Sequence, residues 1–308
     1  AKGGSAWWVV LGAALLLGIG WQQAAFLAHD AAHNAVVDPA KGGGFNAVSW
    51  TAGSVLFGIS TAMWNEEHSM HHAITLRPKE DPQFDYLPLW LISEKELQVP
   101  GVKVDLLTRA LVYIQHWTFL PLCVLVGRFN FYLISTGWAI KRLFTAPTRA
   151  GVLAAGMDIL GMAIFWGWYC AVVGMLPEFY SRLLFVLVSH WTTGILHVQL
   201  LLSHLATSCF TPEEERAEQF FSFQLKTSRN VDSDWTDHWF HGGLEYQIEH
   251  HLFPQLPRHS LEAVKPFVVE ICEKHGVPYR SVGFFHALWE IMSDLRRLSG
   301  ALLELEMG

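Results

Sequence analysis

Residues 6–28, AWWVVLGAALLLGIGWQQAAFLA, run for 23 positions without a formal charge. At about 1.5 Å of helical rise per residue, that is long enough to cross a hydrocarbon core of roughly 30 Å. The run does not read as a cleavable leader, because only Lys2 precedes it and no small-residue cleavage pattern comes after it. The chain continues instead with His29-Asp-Ala-Ala-His33. A membrane helix that delivers paired histidines to its own end sets the terms for the rest of the chain.

The composition agrees. The 308 residues are 51% hydrophobic and 16% charged, against about 25% charged in soluble domains, and the mean hydropathy is +0.25. A net charge of −7 argues against a nucleic-acid-binding chain. Cys123, Cys170, Cys209 and Cys272 lie far apart with no CxxC, so neither a disulfide framework nor a thiolate zinc site is indicated. The abundant special residues are 16 His and 14 Trp.

Two further strong spans lie at 152–176 and 183–205, joined by the short connector Pro177 to Arg182, and form a hairpin across the bilayer. Two weaker apolar stretches read as interfacial or re-entrant: 45–63, rich in Gly, Ser and Thr, and 110–126, interrupted by Gln115, His116 and Pro121. Polar segments 29–44, 64–105 and 206–308 make a helical cap, with helices expected from Thr211 and near 260–275 and 284–305. Lys141, Arg142 and Arg149 precede the 152–176 span and only Arg182 comes after it, which places the cap on the cytoplasmic side. No internal repeat divides residues 1–308, which read as one domain.

The cap carries three histidine clusters: His29-x-x-x-His33, His68-x-x-His71-His72 and Gln247-x-x-His250-His251. On a helix, residues three or four apart share a face, which suits convergence on one metal. Adjacent histidines point about 100° apart, so one HxxHH turn can serve two ions. The first cluster alone is similar to the HExxH of zinc peptidases, with Asp30 where a Glu base belongs. Seven cluster histidines exceed one tetrahedral zinc site, and a pair of ions of higher coordination invites dioxygen chemistry and points to iron. His190, His197 and His204 recur every seven residues within the third span, and His204, at its cytoplasmic end, is a candidate eighth ligand. His197, about 10 Å deeper, is either functional or an interhelical hydrogen-bonding group. Asp30, Glu67, Asp237 and Glu249 are candidates to receive the second nitrogen of a ligand ring, or are simply solvated.

HDxxH, HxxHH and QxxHH in this order, with Trp21-Gln22 and DHWFHGGLEYQIEHHLFPQLPRH at 237–259, resemble the three boxes of membrane fatty-acyl desaturases. The Gln at the head of the third box resembles the front-end group, and the similarity runs from about residue 7 to residue 280. The resemblance implies an all-α integral membrane bundle under a cytosolic cap with two non-haem irons. His29, His33, His68, His71, His72, His250 and His251 carry over as ligands, with His204 as a further one and Gln247 binding directly or through water. It further implies an endoplasmic-reticulum enzyme with its metal site facing the cytosol. O2 would be the co-substrate, with electrons from NADH through cytochrome b5, and the acyl substrate would be carried on coenzyme A or phospholipid. His197, Trp64, Trp117 and Trp191 are candidates to line the acyl channel. Front-end members commonly begin with a cytochrome b5 domain bearing HPGG and have two spans before the first box. This chain has neither, so it is expected to be the C-terminal part of a longer protein, with cytochrome b5 supplied from a missing N-terminal part or in trans. A sphingoid-base desaturase, a di-iron lipid hydroxylase and a lipid-binding membrane protein are the alternatives.

Overall fold

The computed structural model describes residues 6–37, 46–234 and 238–307, without the side chains of 303–307. Helices dominate: α1 (Trp7–Ala32), α2 (Ala47–Trp50), which continues as a π-turn over Thr51–Leu56, α3 (Thr61–Ala73), α4 (Leu106–Tyr113), α5 (Gln115–Leu125), α6 (Gly127–Thr145), α7 (Arg149–Met175), α8 (Phe179–Leu202), α9 (Pro212–Ala217), α10 (Phe220–Thr227), α11 (His238–His241), α12 (Gln247–Leu252), α13 (Arg258–His275) and α14 (Phe284–Met307). Among the described residues the only strands are β1 (Asn230–Asp232) and β2 (Ser281–Gly283), paired in parallel with Asn230 opposite Ser281.

The chain divides into two compact units. Unit 1 is Ala1–Glu66 with Leu122–Val198, and unit 2 is Glu67–Pro121 with Gln199–Gly308. Among the described residues, the three helices long and apolar enough to cross a membrane are α1, α7 and α8, matching the three spans read from sequence. No more than half of the most apolar stretch of each is buried, which leaves side chains such as Leu16, Leu153 and Leu160 facing outward, as lipid requires. This is an integral membrane protein.

Two boundaries differ from the sequence expectation. α1 runs on to Ala32, so His29-Asp-Ala-Ala-His33 is its last turn rather than a segment after it. α8 stops at Leu202, and His204 stands in the following turn, off the stripe of His190 and His197. The helix ends there because the buried Arg229 guanidinium takes Leu202 O (2.7 Å) while Arg229 N–H donates to Ser203 O (2.9 Å), satisfying carbonyls a further turn would have used.

Within unit 1 the spans meet through small residues. Gly18 of α1 lies against Thr192 of α8, and Thr193 Oγ1 donates to Gly18 O at 3.0 Å. The 45–63 stretch is a short apolar helix, Ala47–Leu56, too short to cross. The 110–126 stretch is not one element. It breaks between α4 and α5, and α5 meets α6 at a 70° bend, the pair together being apolar enough for a broken span or a re-entrant loop. Composition hid α6 because Arg128, Asn130, Lys141 and Arg142 dilute it. Arg128 is nonetheless fully buried, 3.5 Å from the Phe57 ring and 4.5 Å from Tyr132, and donates to Phe57 O. Aromatic faces thus stabilise a cation that water cannot reach.

In unit 2, Leu225, Ile248, Val268 and Cys272 pack α10, α12 and α13 together, and Leu91, Val112, Leu298 and Leu302 join α4 to α14. Gln115 is buried at the head of α5, accepting from Leu91 N–H (2.8 Å) and donating to Leu295 O (2.7 Å). The acidic start expected at Thr211 is a capping box with Glu214.

Among the described glycines of unit 1 the tightest is Gly194 of α8, where a Cβ would lie 2.1 Å from Val124 O. Gly194→Ala therefore overpacks the α5–α8 contact and should cost about 1–3 kcal/mol. It should lower the thermal midpoint of the detergent-solubilised protein, and an unchanged midpoint would refute the close contact.

Candidate metal centre

Unit 2 collects six of the candidate ligand histidines. α3 supplies His68, His71 and His72, the turn after α8 supplies His204, and α12 supplies His250 and His251. All six are at most 9% exposed. His71, His204 and His251 form a triangle with ring centroids 4.7, 5.0 and 4.7 Å apart, and one ligand nitrogen from each lies within 4.8 Å of the others. His68 and His250 form a second pair, their rings stacked 6.1 Å apart. His72 stands beside both groups, its Nε2 3.2 Å from His68 Nε2 and its ring 4.2 Å from that of His251.

Four of these rings have their outer nitrogen engaged. Nδ1–H of His68 donates to Gln83 Oε1 (3.0 Å), of His71 to Asp81 Oδ2 (2.8 Å), of His204 to Thr227 O (3.0 Å) and of His251 to Gln224 Oε1 (2.8 Å). A proton fixed on Nδ1 leaves the Nε2 lone pair free for a metal, the usual tautomer control of a ligand histidine. The acceptors are themselves held. Asp81 also accepts Leu76 N–H (2.8 Å) and Gln83 N–H (3.0 Å), and Gln224 Nε2–H donates to His72 O (2.8 Å). Asp81, Gln83, Gln224 and Arg229 carry no signal in the sequence. They sit outside the boxes in no recurring spacing, and only the fold gives them these roles.

Burial, and after it the neighbouring ring (His71 for His204, His204 for His251), holds both imidazoles well below the usual histidine range. Uncharged rings are what a metal needs. His251 Nε2 and Gln247 Oε1 are buried with no hydrogen-bond partner. Nitrogens bound to one ion at about 2.1 Å stand roughly 3 Å apart, so small ring rotations close the present spread. Buried neutral imidazoles with an orphaned acceptor among them fit a transition-metal cation.

Of the remaining sequence candidates, some belong to unit 1 and some to unit 2. In unit 1, His29 and His33 face each other on the last turn of α1, ring centroids 4.8 Å apart, with His29 Nδ1 3.4 Å from Asp30 Oδ1. Glu67 is half-buried on α3. Asp237 lies outside the described residues. Glu249 corrects the expectation of a ring partner. Its oxygens accept from Asn230 Nδ2 (2.7 Å) and Tyr279 OH (2.8 Å), and Asn230 Oδ1 also takes Ile248 N–H (2.9 Å), so it anchors α12 rather than a ring. Gln247 Nε2–H donates to His204 Nε2 at 2.9 Å, which puts the first residue of the third box beside a candidate ligand nitrogen.

Of the channel candidates, Trp64 lies 6.3 Å from Phe131 in unit 1, and Trp191 is half-buried. Trp117 does not line an interior. It is 74% exposed, because the inward side of α5 is set by Gln115, about 200° away around the helix. His197 is buried against Phe131 (4.9 Å), with its Nε2 lacking a hydrogen-bond partner.

The profile of the family described as Fatty acid desaturase matches residues 5–283, which include all three histidine clusters. The chain belongs to the fatty acid desaturase family. Among curated desaturases it is 35% identical to Delta(8)-fatty-acid desaturase 2 of Arabidopsis thaliana over 92% of this chain and 63% of that protein. It is 33% identical to a Delta 8-(E)-sphingolipid desaturase of Komagataella phaffii, over 94% and 53%. It is also 33% identical to the Acyl-lipid (9-3)-desaturase of Borago officinalis, over 91% and 62%. The chain thus spans between about half and two thirds of the length of these relatives.

For this family member the ring partners make a direct test. Asp81→Ala frees His71 Nδ1 and should weaken metal binding about 10- to 100-fold, whereas Asp81→Asn keeps an acceptor and should lose less. Co2+ titration monitored by visible absorption reads the difference, and equal affinities would sink the orienting role of Asp81.

A second test uses pH. Glu96 lines a small cavity with Phe84, whose ring packs on His71 and His204. Burial pushes its carboxyl up to about 7, despite amide bonds from Ile92 and Ser93. A folded value above the unfolded one means stability is present at acidic pH and lost as pH rises through 7. Glu96→Gln keeps the acceptor for both amides, so its thermal midpoint should exceed the wild type's at pH 8 and converge with it towards pH 5. A gain independent of pH would contradict the assignment.

Proposed function

We propose that the chain is the catalytic part of an oxygen-dependent membrane lipid desaturase of the front-end type, which introduces a cis double bond into a polyunsaturated acyl chain. The observation that carries this reading is the cluster of six buried histidines in unit 2, four of them with Nδ1 engaged, in a member of the desaturase family. The ligand set is His29, His33, His68, His71, His72, His204, His250 and His251, with Gln247 at or beside the metal. The support for His29 and His33 is the three-box pattern of the sequence.

Two irons held by these rings supply redox chemistry with O2, with electrons from NADH through cytochrome b5. The residues of the chain do the rest. An unactivated CH2 presents no acidic proton, so no general base is required, and positioning and water exclusion become the tasks of the protein. Asp81, Gln83, Gln224 and the Thr227 carbonyl keep four of the rings, His71, His68, His251 and His204, in one tautomer. Burial keeps His204 and His251 uncharged and excludes water from around the rings. The reading places the protein in the endoplasmic-reticulum membrane with the histidine clusters towards the cytosol, and takes the acyl substrate as a coenzyme A thioester or phospholipid.

A sphingoid-base substrate is the second reading, favoured by the 33% identity to a Delta 8-(E)-sphingolipid desaturase, equal to that with the acyl-lipid enzyme. Expression in yeast with cytochrome b5 supplied, with polyunsaturated fatty acids or sphingoid bases fed in parallel, separates the two by chromatography of both lipid classes. A new double bond in fatty acids is expected, one in long-chain bases alone moves the assignment to the second reading, and a hydroxylated product alone rejects desaturation. His71→Ala and His251→Ala should each abolish product while the protein still inserts into membranes.

A further inference from the structure

A carboxylate that plays no part in the chemistry above sits at the start of the helix carrying the second histidine cluster. Asp158 lies in the first half of α7, a membrane span, and is 2% exposed. Its Oδ1 accepts from Ser54 Oγ (3.0 Å) and Thr61 Oγ1 (2.9 Å), and its Oδ2 from Ser60 Oγ (2.6 Å) and Ala62 N–H (2.9 Å). Ser60 Oγ in turn accepts Met63 N–H (3.0 Å), the N-cap bond of α3. Nearby, Trp50 Nε1–H donates to Met157 O (2.8 Å) and Trp168 Nε1–H to Val55 O (2.9 Å). Gly161, three residues along α7, brings the same segment so near that a Cβ there would lie 2.5 Å from Ser54 Cβ.

An ionisable side chain in a span is costly unless it is fully paired, and such groups are kept for a task. The four donors come from 54 and from three consecutive residues, 60, 61 and 62, that open α3. The exposed amides of a helix N-terminus also favour a negative charge there. Gripping three successive residues removes freedom both to slide along the axis and to turn about it. Two to three turns later the same helix carries His68, His71 and His72. At about 5 Å from the axis, a turn of roughly 20° displaces a ring nitrogen by ~2 Å, while a metal–nitrogen bond tolerates only about 0.2 Å.

We propose that Asp158 is a positioning residue for the second histidine cluster. Its carboxylate sets the rotation and height of α3, and through them the ring nitrogens of His68, His71 and His72. The inference rests on reading those histidines as metal ligands.

The test uses the full chain in detergent, with Co2+ as probe. Asp158→Ala is expected to weaken Co2+ binding by about 10-fold or more and alter its visible ligand-field bands. Amide hydrogen exchange over 61–67 should accelerate while far-UV circular dichroism and monodisperse elution persist. Asp158→Asn, which keeps one acceptor oxygen, should fall between it and the wild type. Asp158→Ala with wild-type Co2+ affinity and bands overturns the proposal, even if activity falls. Should Asp158→Ala fail to fold, Ser60→Ala decides, since it removes one donor and the cap: weaker Co2+ binding supports the proposal and unchanged binding overturns it. If the wild type itself binds no Co2+, the metal-centre reading fails separately. Exchange over 61–67 then decides the anchoring alone, acceleration in the variants supporting it and unchanged rates overturning it.

Discussion

Imidazole rings can be packed against one another out of water only while they are uncharged. Six rings within contact distance in unit 2 would repel one another strongly as cations. Burial, with each neighbour adding to it, keeps His204 and His251 in the neutral form. The cost is a directional one: a neutral ring has one donor and one acceptor nitrogen, and both need an occupant. The outer proton of four rings goes to Gln83, Asp81, Thr227 O and Gln224. Of the inner nitrogens, that of His204 accepts Gln247 Nε2–H, while that of His251 is buried without a partner, a position a cation would complete.

That requirement explains much of the architecture of unit 2. The acceptors come from the loop after α3 and from α10, so those segments must close around the rings. The anchors behind them obey the same logic. Arg229 ends α8 just before His204, and Asn230, Glu249 and Tyr279 fasten the start of α12. In unit 1 the same rule holds in an apolar setting. Arg128 is stabilised by aromatic faces and a carbonyl, and Asp158 by four donors.

The division of labour suits the proposed chemistry on an unreactive hydrocarbon. Nothing in such a substrate asks for an acid or base, so selection falls on rigidity, dryness and metal affinity. Membership of the desaturase family is consistent with a buried histidine site held by such supporting contacts.

Much of this was legible in the residues themselves. The uncharged stretch at 6–28 and the apolar runs at 152–176 and 183–205 announce spans because a bilayer imposes a length and a polarity on any helix that crosses it. The spacings HxxxH, HxxHH and QxxHH announce a histidine cluster because helical periodicity puts those rings on shared faces. Spacing could not convey which distant group meets each ring. Asp81, Gln83, Gln224 and Asn230 belong to no pattern, and Glu249, placed beside His250 and His251 in sequence, turns to Asn230 and Tyr279. Nor could composition reveal α6, whose charged residues disguise an element that buries Arg128, or the π-turn secured by Asp158. Local periodicity is a property of a few adjacent residues and survives in the sequence, whereas hydrogen-bond partners dozens of positions apart exist only once the backbone has folded and desolvation forces every polar group to find one.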